Sequence, residues 1–138
     1  MIENRIIIPG NPTAAHRPRF SRKLGRAYDS QKDVRDCMTW HVASQWSDDP
    51  LEGAVTLDVV FYMQLPKSMS KKRRTALNGQ PCLKAWDLDN GLKILQDACN
   101  GVIFKDDSQV YNITCKKIWD EDGRTEILIY SDSSSSEL

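Results

Sequence analysis

Asp87, Asp89 and Lys93 in the run Trp86-Asp-Leu-Asp-Asn-Gly-Leu-Lys93, and Asp106 and Asp107 in Lys105-Asp-Asp-Ser-Gln-Val110, fall within about two dozen residues. Carboxylates packed this densely repel one another, so a fold that gathers them needs a compensating cation. Oxygen ligands with no histidine or thiolate among them suit a hard ion, Mg²⁺ or Mn²⁺. A lysine beside such an ion is what hydrolysis of a phosphate ester requires, because negative charge builds on the phosphoryl oxygens. The residue types predict a metal-dependent nuclease.

Spacing adds a geometry. Asp87 and Asp89 are two apart, so an extended segment turns both side chains to one side and lets them touch one cation. Lys93 is four residues beyond Asp89, one helical turn further, within reach of the same mouth. Asp97, four beyond Lys93, orients or neutralises it. Asp106-Asp107 arrives after the helix, where one carboxylate could close the site from the opposite side. Each residue also has a plainer explanation. Asp89 could cap its helix, Lys93 and Asp97 could form an exposed i,i+4 pair, and Asp-Asp-Ser is a common turn. From spacing alone the residues define a candidate metal site and no more.

A chain of 138 residues, 40% hydrophobic and 28% charged, can bury one core without disulfide or zinc staples. Cys37, Cys82, Cys99 and Cys115 form no C-x-x-C pair, and with only His16 and His41 available a zinc site is not expected. No apolar run reaches membrane-spanning length and no signal sequence opens the chain, so a cytoplasmic protein without a membrane partner is expected. The net charge of zero hides a segregation. Seven basic residues lie between Arg17 and Arg35 (Arg17, Arg19, Arg22, Lys23, Arg26, Lys32, Arg35) against Asp29 and Asp33. Lys67, Lys71, Lys72, Arg73 and Arg74 form a second basic run, and the acids collect in 87–107 and 119–126. Such a distribution gives a dipolar surface suited to nucleic acid. For the second run alone, a solvated helix face is the simpler explanation.

The elements that must position these groups follow from periodicity. Arg5-Ile-Ile-Ile-Pro9 is a short strand, and residues 13–29 an extended basic loop with a turn at Gly25. From Ser30 as N-cap, Val34, Cys37, Met38, His41, Val42 and Trp46 fall at helical spacing, with a stop near Asp48. Val55 to Met63 is a strand rich in β-branched and aromatic residues, and Ser68 to Leu77 a short basic helix. A further helix starts near Asp89, with Leu88, Leu92, Leu95 and Cys99 on its apolar stripe and Asn100-Gly101 at its end. Gln109 to Trp119 reads as a strand, 120–123 as a hairpin loop and Arg124 to Tyr130 as the partner strand. The fold class is α+β: one domain over 1–131 with a mixed or antiparallel sheet and about three helices, followed by a serine-rich tail over 132–138 expected to be disordered.

The order Asp-Leu-Asp-Asn, Lys93, Asp97, Gly101 and Asp-Asp-Ser-Gln-Val resembles the RusA family of Holliday-junction resolvases, endodeoxyribonucleases of bacteria and their prophages. The resemblance extends to the first strand and its Pro-Gly-Asn-Pro ending, to Arg17-Pro18-Arg19, to Tyr28 and to the helix beyond, and covers residues 4–130. It implies a homodimer that binds four-way junction DNA and cuts two strands symmetrically in recombination and repair, with no organic cofactor. By the same resemblance Asp87, Asp89 and Asp107 are the metal ligands and Lys93 is catalytic; Asp106, Asp97 and Asn90 are the candidates to support them. Arg17, Arg19, Lys71, Lys72, Arg73 and Arg74 are the candidates for contacts to the DNA backbone. The pattern departs from the family at Ala85-Trp86, where Lys-Pro or similar is usual, and at Gly91, where a larger apolar residue is usual. Trp86 is either a wedge at the junction centre or a structural residue. Rival functions are a non-catalytic, metal-stabilised junction-binding protein, a nuclease for other branched DNA, and a calcium-binding or protein-interaction domain.

Overall fold

Strand alternation builds a four-stranded sheet from β1 (Ile2–Pro9), β4 (Val55–Gln64), β5 (Val110–Asp120) and β6 (Arg124–Ser131). The computed structural model describes residues 2–15, 19–23, 25–28 and 31–131, so the expected disorder of the serine-rich tail and the capping role of Ser30 lie outside the described residues. The spatial order is β1-β6-β4-β5, with β6 antiparallel to both β1 and β4, and β4 parallel to β5. The basic loop expected between β1 and the first helix contains a short antiparallel ribbon, β2 (Arg19–Ser21) with β3 (Arg26–Tyr28).

Two long helices, α1 (Lys32–Gln45) and α3 (Leu88–Cys99), contribute to the core with the sheet, and α2 (Lys71–Leu77) is a short helix with no buried residue. Alternate residues of β4, Val55, Leu57, Val59, Phe61 and Met63, are buried, and with Ile6, Ile8, Ile127 and Ile129 they meet Val42, Leu95, Cys99, Ile103 and Phe104. This period-two pattern is what a half-covered sheet demands. The apolar stripe of α3 is rotated from the expected one: Gly91, Ile94, Leu95, Ala98 and Cys99 are buried, while Leu88 and Leu92 are half-buried. All four cysteines are free thiols.

The expected hairpin between the last two strands is not formed. β5 and β6 are separated by β4, and residues 121–123 carry the chain across the end of β4. Gly123 makes the crossing possible, since a Cβ there would stand 2.8 Å from the Asn11 Cα and 3.2 Å from the Gln64 Cβ. The outer edge of β5 is covered only at its far half. Gly79 N–H donates to the Trp119 carbonyl (2.8 Å), Trp119 N–H to Gln80 (2.9 Å) and Cys82 N–H to Lys117 (3.0 Å). From Val110 to Lys116 no described strand pairs with that edge.

Candidate active site

The first turn of α3 gathers the first two aspartates. Asp87 is the N-cap, with extended backbone and no capping bond from its side chain, and Asp89 lies in the first turn. The pair therefore sits at a helix start and not on the extended segment expected from the spacing, and i,i+2 positions at a helix start do not by themselves share a face. Both are exposed, at the end of the helix where unpaired N–H groups favour negative charge. Lys93 and Asp97 follow on the same helix, both exposed, and among the described residues no ion pair joins Lys93 to Asp89 or Asp97. The Asn90 carbonyl accepts from the Ala15 N–H at 2.9 Å, tying the segment after β1 to the start of α3.

The two departures from the family pattern are one feature. The Trp86 ring stands edge-on to Phe61, with centroids 5.0 Å apart, and covers Gly91 so closely that a Cβ there would lie 2.3 Å from the indole Cζ3. A large side chain at 86 requires none at 91. Trp86 is therefore a packing residue in this chain.

Asp106 and Asp107 differ in what they do. Asp106 caps a 3-10 turn over Asp107–Gln109: its carboxylate accepts from the Ser108 hydroxyl and from the Ser108 N–H (3.2 Å), while Gln109 Oε1 accepts from the Asp106 N–H (2.9 Å). The Ser108 bonds hold the Asp106 carboxyl below the usual carboxylate range. Gln109 anchors the turn by donating to the carbonyls of Leu51 (2.8 Å) and Gly53 (2.9 Å) just before β4. The Asp107 side chain is exposed and makes none of these bonds.

Asp107 is not beside Asp87 and Asp89. Gly91 at the start of α3 meets Phe61, which pairs with Lys117 late in β5, whereas the end of α3 leads to Ile103, bonded to Leu51 ahead of β4. The twelve residues of α3 span about 18 Å. Asp107 precedes the first residue of β5 and so sits at the opposite end of that helix. Among the described residues no three Asp, Glu, His or Cys side chains are grouped to hold a metal. Within one chain the carboxylates of 106–107 lie away from Asp87 and Asp89, because α3 and β5 run in opposite directions and separate their N-terminal ends.

Of the basic candidates, Arg17 lies outside the described residues, and Arg19 is described only by its backbone in β2. Lys71, Lys72 and Arg73 are exposed on α2. Arg74 is instead engaged, donating to Glu121 (3.0 Å) and to the carbonyls of Met69 (3.2 Å) and Pro66 (2.7 Å). Lys117 has no role in the sequence pattern, being one strand residue among many. Only the fold reveals that it bonds the segment leading to Asp87.

The described residues thus hold a mixed sheet, two aspartates and a lysine in the N-terminal half of one helix, and a capped Asp-Asp turn. Residues 9–130 match the family Endodeoxyribonuclease RusA, and the chain belongs to that family. It is also 32% identical over 134 residues to the uncharacterized protein YqaN of Bacillus subtilis (strain 168), covering 91% of this chain and 94% of that protein. The RusA family is one of endodeoxyribonucleases, which are generally divalent-metal dependent. No helix among the described residues is long and apolar enough to cross a membrane.

Proposed function

We propose that this chain is a structure-specific endodeoxyribonuclease that resolves Holliday junctions as a homodimer, by paired phosphodiester hydrolysis dependent on Mg²⁺ or Mn²⁺. The observation that carries the proposal is the uncommitted set at the start of α3: the side chains of Asp87, Asp89 and Lys93 are exposed and bonded to nothing among the described residues, on a chain that belongs to a nuclease family. Lys93 would offset charge developing on the scissile phosphate, a task for an ammonium not already neutralised. Lys71, Lys72 and Arg73 would grip the backbone of the DNA without reading sequence.

Asp87, Asp89 and Asp107 do not fit one ion within a single chain, and their separation is itself what supports a homodimer. Two copies pairing antiparallel through the open edge of β5 about Ile113 would set Asp107 of the second copy level with Trp119, six residues to the other side of Ile113. That is the end of β5 where Lys117 meets Trp86, the residue before Asp87. Two such sites would be related by a twofold axis, as symmetric cleavage of a four-way junction requires.

Incubating the purified protein with a mobile four-way junction and Mg²⁺, beside a linear duplex, tests the proposal, with sedimentation run on the same sample. Paired cuts in the junction, an intact duplex and a dimer are expected. The Lys93→Ala variant should bind the junction as well as wild type and cut it far more slowly. Binding without any cleavage would favour a non-catalytic junction-binding protein, and equal cutting of flaps and junctions a nuclease for branched DNA in general. Paired cuts by a monomer would remove the shared site.

A further inference from the structure

We infer that Lys117 is a positioning residue for the aspartate pair, fixing the segment that carries Asp87 relative to the helix that carries Asp89; this rests on the proposal that Asp87 and Asp89 serve the reaction. Lys117 lies on β5 opposite Phe61 and is half-buried. Its ammonium donates to the Lys84 carbonyl at 2.9 Å and to the Trp86 carbonyl, and stands 5.3 Å from the centroid of the Trp86 ring. Two carbonyls two residues apart converge on one cation. Between them Ala85 has φ of 71°, a left-handed conformation that residues with a Cβ seldom adopt.

The consequence reaches the site through geometry. Asp89 lies within α3, whereas Asp87 is the N-cap: its carbonyl accepts from the Asn90 (3.1 Å) and Gly91 (3.3 Å) N–H groups, but its extended backbone on the N-terminal side follows the chain before it. That chain is anchored upstream by buried Cys82, whose N–H donates to the Lys117 carbonyl (3.0 Å) and whose thiol donates to the Lys84 carbonyl (3.5 Å), and next to Asp87 by the Trp86 ring seated over Gly91 against Phe61 and by the ammonium of Lys117. Without the ammonium the Trp86 carbonyl loses its donor, the Lys84 carbonyl keeps only the weak thiol donor of Cys82, and Ala85 is free to relax to negative φ. The Asp87 carboxylate then turns away while the Asp89 carboxylate stays. A strand residue that only filled the core would not need a charge here; converging carbonyls do.

Lys117→Met keeps the stem and removes the charge, and Lys117→Arg restores a cation able to bridge two carbonyls. In single-turnover cleavage of a four-way junction the Met variant should be about ten- to hundredfold slower, the range for residues that orient reacting groups. Junction affinity measured in EDTA should be unchanged, and the Arg variant should recover most of the rate. Adding Ala85→Gly to the Met variant should restore part of it, because glycine accepts the left-handed conformation without the tether. With 5-fluorotryptophan, the Trp86 resonance (identified by its loss in Trp86→Phe) should shift or broaden in the Met variant. A Met variant that cuts at the wild-type rate with an unmoved Trp86 resonance would overturn the inference. So would an Arg variant no faster than Met, with losses that merely track thermal unfolding. If the wild-type protein cuts no junction, the proposed function fails, and the Trp86 resonance alone decides whether Lys117 holds this segment.

Discussion

Asp106 and Asp107 share a peptide bond, but their side chains have opposite commitments: the first is tied into a capping box with Ser108 and Gln109, and the second bonds nothing among the described residues. Asp107→Asn should therefore abolish junction cleavage while leaving binding and thermal stability near wild type. Asp106→Asn keeps an oxygen able to cap the turn and should retain most activity. Cleavage rates and unfolding midpoints of the two variants, measured side by side, check the assignment. Comparable loss of rate in both would mean that the turn, and not one carboxylate, is what matters.

Gly91 would ordinarily be a weak helix residue, and replacement by alanine favourable by up to about 1 kcal/mol. Its position under Trp86 reverses the expectation. Gly91→Ala should destabilise the protein by about 1–3 kcal/mol, because the new Cβ meets the indole at 2.3 Å. In a Trp86→Ala background the same change should cost little. A double-mutant cycle by urea denaturation measures the coupling, and additivity within about 0.5 kcal/mol would refute the packing relationship.

The basic run on α2 divides by the partners of its members. Reversing the charges of Lys71, Lys72 and Arg73 should weaken junction binding and lower the slope of log affinity against log salt by about one for each phosphate no longer neutralised. Arg74→Ala should leave that slope nearly intact and loosen α2, since its guanidinium holds Glu121 and two carbonyls. Binding titrations at several salt concentrations separate the two outcomes. An unchanged slope in the triple variant would make α2 a solvated face.

Acid should weaken the Glu126 ion pairs with Arg5 and Arg124 on the open face of the sheet. Burial alone would raise the Glu126 carboxyl, but hydrogen bonds from Arg124 and Arg5 outweigh it and hold the group below its ordinary value of 4.5. A depressed carboxylate contributes stability that is complete above the unfolded value and lost as pH falls through the folded one. Glu126→Gln should thus be less stable than wild type at pH 6, and the gap should narrow as pH drops below about 4.5. Urea midpoints at pH 6 and pH 3 give the comparison; a gap of constant size would exclude this group as a source of acid sensitivity.

What the sequence discloses depends on whether the signal is local. The alternation in Val55–Gln64 and the Asn100-Gly101 stop of α3 are local, and both elements stand where periodicity sets them. The partner of a strand is not a local property. Asp120-Glu-Asp-Gly123 has the chemistry of a reversal, and the chain does reverse there, but nothing in those residues says that β4 intervenes. The candidate site divides in the same way. Asp87, Asp89 and Lys93 lie in the N-terminal half of one helix, as their spacing allows, whereas the place of Asp107 depends on the opposed directions of α3 and β5. Trp86 and Gly91, two unrelated oddities in the sequence, become one contact only when α3 folds back beneath the indole.

The interior position of β6 also dictates when the sheet can assemble. β1 hydrogen-bonds to β6 alone within the sheet, and the two are more than a hundred residues apart in the chain. During synthesis β1 leaves the ribosome early with Ile6 and Ile8 seeking burial, yet it has no strand to join until Arg124–Ser131 emerges and inserts between it and β4. Pairings this distant along a chain slow folding. Any nascent fragment that stops short of β6 holds two unsealed strand edges, those of β1 and β4, and relies on the last strand to close both at once.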